Sequence, residues 1–254
     1  MELYQQLLIA CPLVFLAGFV DSIAGGGGLI SLPTYYMVGI PPHFAMGTSK
    51  LSSSVGTIFS TATYVREGFL YKKIVVVSCV GALIGSWIGA QCALLADEQF
   101  LRWIMIVLVP VIAVITVFKK DLFAPEERYI SNTKEQIITA LIALTIGWYD
   151  GFFGPGAGML FMLAFIGILK LSPVTANGNV KVANLCSNLA AVIAFAVSGK
   201  IVYAVALPCA FFSILGNLLG ARLTIKNGAK IIKPVMLVVV FILLITVARD
   251  LIQT

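Results

Sequence analysis

Lys50 and Lys181 are cations set inside hydrophobic stretches, and each lies on a helical face with groups able to hold an oxyanion. On a helix, Lys50 shares a face with Ser53, Ser54, Thr57 and Thr61, and Lys181 with Asn177, Asn184 and Asn188; Ser49 directly precedes Lys50. An ammonium with several hydroxyl or amide donors replaces the water shell of a small anion. A charge at bilayer depth costs about 2.5–3.5 kcal/mol even on the milder insertion scale, so two of them imply a polar interior rather than contact with lipid. Asp21 and Asp150 lie at the breaks between the two legs of each half. They can cap helices, pair with the lysines as structural ion pairs, or carry protons. Glycine blocks follow each aspartate, Gly25-Gly26-Gly27-Gly28 and Gly154-Pro-Gly156-Ala-Gly158. Glycines at the start of a helix can offer free N–H groups to an anion, or can simply permit a tight turn and close packing. Both roles stay open. His43, the only histidine, follows Pro41-Pro42 and is expected at the outer membrane interface, with proton relay as its alternative.

These side chains need a membrane scaffold. Of 254 residues, 60% are hydrophobic and 11% charged, with mean hydropathy +1.03, where soluble domains carry about 25% charged residues. Val/Ile/Leu-rich stretches of span length separated by turn residues favour helices over a barrel. The start, MELYQQ, lacks the basic region of a cleaved signal peptide, so Leu3 to Val20 is expected as a retained helix. The net charge of +6 lies in short loops beside spans and reports topology rather than nucleic-acid binding. The five cysteines are scattered through apolar segments without pairing or metal spacing and read as small buried residues, although Cys186, five residues after Lys181, can face a substrate path. Tyr36, Gln91, Asn217 and Arg222 are weaker cavity candidates. No metal cluster, nucleophile–base pair or cofactor fingerprint appears, and Gly47-Thr-Ser-Lys50 has the wrong order for a phosphate loop. The expectation is a non-enzyme without cofactor or metal.

The chain repeats itself. At an offset of 131, Gly47 matches Gly178, Lys50 matches Lys181, Ser53 matches Asn184, Thr57 matches Asn188, Gly85 matches Gly216 and Gly89 matches Gly220; upstream the offset is 129, with Asp21 matching Asp150. Each half reads as a first leg (about 3–20; 136–149), a glycine break, a short second leg (about 29–39; 159–169) and three spans (about 43–65, 74–95 and 100–118; 173–197, 201–221 and 234–250). The basic loop residues test orientation. Arg66, Lys72, Lys73, Lys119, Lys120, Arg128, Lys134, Lys170, Arg222, Lys226, Lys230 and Lys233 fall on one side; Arg102, Lys200 and Arg249 fall on the other. With Lys50 and Lys181 in the membrane, that accounts for every basic residue. The positive-inside rule then turns the halves upside down relative to each other, provided each two-legged element enters and leaves on one side. The expected architecture is an all-α polytopic membrane protein of two inverted repeats, each a helical hairpin plus three transmembrane helices: repeat 1–120, cytoplasmic linker 121–134, repeat 135–254. The depth of the hairpins and the oligomeric state, monomer or homodimer, stay open.

The segment Ala17-Gly-Phe-Val-Asp21-Ser-Ile-Ala-Gly-Gly-Gly-Gly28-Leu-Ile-Ser-Leu-Pro33 resembles the opening signature of the TauE/SafE sulfite-exporter family. Ala45-Met-Gly-Thr-Ser-Lys50 and Asn177-Gly-Asn-Val-Lys181-Val-Ala-Asn184 fit it too, and the resemblance runs from about residue 10 to the C-terminus. It implies a secondary transporter of small sulfur-containing anions or organosulfonates (sulfite, thiosulfate, sulfoacetate and the like) in the bacterial inner membrane. The expected mechanism is alternating access, with proton coupling as one way to drive it. A passive anion channel and a permease for carboxylates or other organic anions are the alternatives. The expected site comprises Lys50, Lys181, Gly25, Gly26, Gly27, Gly28, Gly154, Gly156, Ser49, Ser53, Asn177 and Asn184, with Asp21, Asp150 and His43 for proton coupling or ion pairing; the expected partners are a small anion and the lipid bilayer.

Overall fold

The computed structural model describes residues 1–101, 132–228, 230–232, 234, 235 and 238. The linker to residue 131 and nearly all of the expected spans 100–118 and 234–250 lie outside the described residues. The described helices are α1 (Leu3–Ala24), α2 (Gly28–Met37), α3 (Pro42–Arg66), α4 (Lys72–Leu95), α5 (Thr133–Phe152), α6 (Ala157–Gly167), α7 (Pro173–Val197) and α8 (Tyr203–Asn227). Among the described residues there is no strand.

Local chemistry sets the boundaries. Glu2 and Gln5 form a capping box at the start of α1, and the Asn132 side chain accepts from the Glu135 N–H at the start of α5. Pro42 and Pro173 open α3 and α7 at equivalent positions, where a missing N–H costs nothing. α1 ends at Gly25, whose φ of 74° is left-handed; Gly154 and Gly156 take φ of 96° and 82° between α5 and α6. The short legs α2 and α6 have 10 and 11 residues, about 15–17 Å of helix and half a hydrocarbon core. The Gln6 side-chain amide donates to the Val38 carbonyl (3.0 Å), so α1 and α2 fold back as a hairpin.

Among the described residues, four helices, α1, α4, α7 and α8, are long and apolar enough to cross a membrane. α3 is as long as α7, but its Ser/Thr-rich face lowers its hydropathy. Burial is inverted relative to a water-soluble bundle. Val80, Ile84 and Ile88 of α4 and Leu207, Phe211 and Leu219 of α8 are exposed, whereas Ser78, Ser86, Ser213 and Asn217 on the same helices are buried. Apolar side chains face outward and small or polar ones face inward, as lipid demands. The protein is therefore a multi-pass membrane protein.

Small residues bring the helices together. A Cβ on Gly85 would lie 2.2 Å from the Leu144 carbonyl oxygen, and one on Gly89 would lie 2.0 Å from that of Trp148, so α4 and α5 touch backbone to backbone. The equivalent contacts recur between α8 and α1: Gly216 abuts the Phe15 carbonyl (2.1 Å) and Gly220 that of Phe19 (2.5 Å). Each half thus packs its first leg against the other half's last described helix. The lysine-bearing helices α3 and α7 lie against each other inside this frame, with Thr61 donating to the Lys181 carbonyl.

Candidate functional site

Lys50 is the ninth residue of α3 and is 6% exposed. Its Nζ lies 2.6 Å from Asp150 Oδ1 and donates to Asn188 Oδ1 at 2.9 Å. The other Asp150 oxygen accepts from the Ser187 hydroxyl. Lys181, at the equivalent place on α7, is 0% exposed; it donates to Asp21 Oδ2 at 2.7 Å and to the Asp21 main-chain carbonyl. The two ion pairs cross between the halves reciprocally. Removing one partner from such a buried pair would strand a charge, which makes each pair structurally costly to break. Neither aspartate caps a second leg: the N-cap positions of α2 and α6 are Gly27 and Gly156, both without a side-chain cap.

A cavity of about 40 Å³ lies between the glycine breaks and the two central helices, room for roughly three water-sized centres. Lys50, Ser49 and Ser53 of α3, Asn184 and Asn188 of α7, and Asp21 and Asp150 line it, together with Gly25, Gly28, Gly154 and Gly158. The breaks meet here. A Cβ on Gly25 would fall 2.4 Å from the carbonyl carbon of Gly158, and one on Gly154 would fall 3.1 Å from Lys50 Nζ. Glycine is required where the two backbones touch and where the ammonium passes the second break.

Several expected residues sit elsewhere. Lys181 is sealed behind Asp21 and does not reach the cavity wall. Asn177 stitches α7 to the end of α1, donating to the carbonyls of Ser22 and Ile23 and to the Tyr64 hydroxyl. Gly27 faces the Asp21 side chain and the Ala17 carbonyl, Gly26 accepts from the Leu29 N–H, and Gly156 forms the left-handed entry to α6; these three are packing and turn positions. Ser49 does line the cavity, with its hydroxyl bonded to Ser31 (2.8 Å). His43 ties the start of α3 to the end of α4, with Nε2 3.0 Å from the Ala93 carbonyl and Nδ1 3.5 Å from Glu98, remote from the lysines. Asn217 packs beside Gly18 and Gly56, and neither Gln91 nor Arg222 lines the cavity. The cysteines do meet despite their spacing: Cys11 and Cys209 sulfurs are 3.9 Å apart, and Cys186 faces Cys79 rather than the cavity. Phe153, Pro155, Met46 and Leu32 complete the lining. Ser187 was not singled out by the sequence, because its repeat counterpart is Gly56 and no shared polar signal marks the pair.

A bundle with lipid-facing apolar surfaces and a buried, charged, donor-rich cavity defines a membrane protein built to accommodate a small polar solute inside the bilayer. The family model "Sulfite exporter TauE/SafE" matches residues 10–247, and the chain belongs to this family of membrane transporters. It is 34% identical over 236 residues to a probable membrane transporter protein ORF9 of Sinorhizobium sp, covering 93% of this chain and 90% of that one. It is 32% identical over 248 residues to the probable membrane transporter protein YfcA of Escherichia coli (94% and 91% covered). A probable membrane transporter protein of Haemophilus influenzae is 30% identical over 236 residues (93% and 92%). These relatives are named as probable membrane transporters, not as enzymes. No solved structure gives a significant match.

Proposed function

We propose that the chain is a secondary transporter of small sulfur-containing anions or organosulfonates, of the size of sulfite, thiosulfate or sulfoacetate, working by alternating access in the bacterial inner membrane. The observation that carries this reading is the Lys50 ammonium at the wall of a small cavity where the two glycine breaks meet. Ser53 and the amides of Asn184 and Asn188 stand around it. An oxyanion entering there exchanges water for a cation and neutral donors. The family description supports the sulfur-anion class, and the Lys50 ammonium on the cavity wall suits an anion.

The running directions of the helices support antiparallel repeats. Contacts of Gly81, Gly85 and Gly89 advance along α5 through Ala143, Leu144 and Trp148, so α4 and α5 run together. Gly216 and Gly220 advance along Phe15 and Phe19 in the same way, so α8 runs with α1. Tyr64, near the end of α3, reaches Ser22, near the end of α1; His43, at the start of α3, meets Ala93, near the end of α4. Hence α1 and α4 point oppositely. α8, the counterpart of α4, runs with α1, which supports an inverted relation of the two copies. Inverted copies meeting at a midplane site are a transporter arrangement in which rocking exposes the site to either side.

Purified protein in liposomes loaded with thiosulfate tests the reading. Saturable counterflow of labelled thiosulfate is expected. Conductance without saturation would make the protein a channel, and counterflow with carboxylates alone would replace the substrate class.

A further inference from the structure

We infer that Asp150 takes up a proton as an anion binds, so that one proton accompanies each anion into the cavity. This rests on the reading above that Lys50 holds the anion.

The charges on the cavity balance before any solute enters. Lys50 is neutralised by Asp150 at 2.6 Å, and Asp21 by Lys181 at 2.7 Å. An anion reaching Lys50 must share it with a carboxylate already in contact. Two negative groups about 4 Å apart in a partly dry site weaken binding by roughly a thousandfold. Protonating Asp150 removes the competitor and leaves Lys50 an unpaired cation, which the anion then satisfies. The cavity's net charge with a bound monoanion is the same as when empty.

The geometry indicates where the proton sits. Asp150 Oδ2 accepts from the Ser187 hydroxyl, whereas among the described residues Oδ1 is held by Lys50 alone. When Lys50 turns to the anion, Oδ1 is vacated and takes the proton, and the resulting hydroxyl can donate to the anion. Lys50 keeps its bond to Asn188 throughout.

The groups facing Asp150 single it out. From α3 comes Lys50; from α1, Asp21, already held by Lys181 of α7; from α7 itself, the neutral Ser187 and Asn188. α4 turns Gly85, Ser86 and Gly89 toward α5 and carries Lys72 and Lys73 only at its start. α6 carries no charged residue. Within α5, the Tyr149 hydroxyl donates to the Pro155 carbonyl. Asp21 is a poorer carrier, because Lys181 is wholly buried and grips both its carboxylate and its main-chain carbonyl. His43 lies seven residues before Lys50, about 10 Å along the helix.

Calorimetry of thiosulfate and methanesulfonate binding to the full-length protein, in buffers of different ionisation enthalpy, counts protons directly. Wild type should take up about one proton per anion and bind about tenfold tighter per unit fall in pH where free Asp150 is ionised. Asp150→Asn should bind with no proton uptake and no pH dependence, and in liposomes should exchange anions without proton-driven accumulation. Absence of proton uptake in wild type, or wild-type uptake in Asp150→Asn while Lys50→Met fails to bind, would overturn the assignment to Asp150 and leave the Lys50 site standing. Normal binding by Lys50→Met, or no binding of either probe by wild type, would overturn the anion site itself.

Discussion

The Lys50 ammonium and the Asp150 carboxylate are 2.6 Å apart but belong to different halves of the chain, one hundred positions from each other. Their counterparts, Lys181 and Asp21, make the reciprocal bridge. Yet only the first lysine reaches the cavity. Of these two matching bridges, one brings its lysine to the cavity and the other keeps its lysine behind Asp21, an asymmetry that the proposed alternating access would reverse.

Lys50→Met should remove anion binding and strand Asp150. An unpaired buried carboxylate costs about 3–5 kcal/mol. Adding Asp150→Asn should restore most of the denaturation midpoint without restoring a thiosulfate-induced rise in Tm. Thiosulfate stabilisation of the double variant would argue against Lys50 as the anion's partner.

Lys181→Met with Asp21→Asn separates binding from movement. Lys181 lies outside the cavity and the double change removes one positive and one negative charge together, so anion affinity should change less than about threefold, within 1 kcal/mol. Counterflow should fall at least tenfold, because the proposed alternating access requires the second bridge to open in the opposite-facing state. Equal effects on affinity and counterflow would place both lysines in one site at once.

Gly25→Ala and Gly39→Ala form a matched test of the meeting breaks. Both positions have left-handed φ, 74° and 85°, which costs an alanine about 1–2 kcal/mol. Only Gly25 also meets an obstacle, the Gly158 backbone at 2.4 Å; Gly39 has nothing within 4 Å. Gly25→Ala should lose about 1–3 kcal/mol more and abolish transport, whereas Gly39→Ala transports normally. Denaturation in detergent and counterflow check both, and equal losses would show that backbone strain alone matters.

Cys11 and Cys209, with sulfurs 3.9 Å apart, should cross-link under a mild oxidant and give a thiol-reversible mobility shift on gels. α1 and α8 touch through Gly216 and Gly220 along their lengths, so they should move as one body and the cross-linked protein should still transport. Loss of transport on oxidation, restored by reductant, would mean that these helices slide during the cycle.

Much of the frame was readable in the sequence because glycine, proline and hydropathy act locally. The breaks after Asp21 and Asp150, the half-length legs and the starts of α3 and α7 follow from neighbouring residues. Lys50, Ser53 and Asn184 stood out as polar groups in apolar surroundings, and the fold gathers all three at the cavity. Partnership was less legible. Lys50 finds Asp150 and Asn188, and Asp150 finds Ser187, only through the packing of α3 against α7 and α5, which periodicity does not encode. The sealing of Lys181 was unreadable in principle, since a repeat in sequence is symmetric while one conformation is not. Asn177 shares the lysine's helical face, yet the end of α1 claims its amide.

The exchange of first legs between the halves also bears on how the protein is made. Asp21 enters the bilayer 160 residues before Lys181, and α1 must wait for α8 to be synthesised before Gly216 and Gly220 can seat against it. At ribosomal speeds of about 5–20 residues per second, that leaves a lone carboxylate at the membrane for roughly ten to thirty seconds. The nascent N-terminal half is thus a stretch of chain that needs shelter, from the insertion machinery or the headgroup layer, until its distant complement emerges.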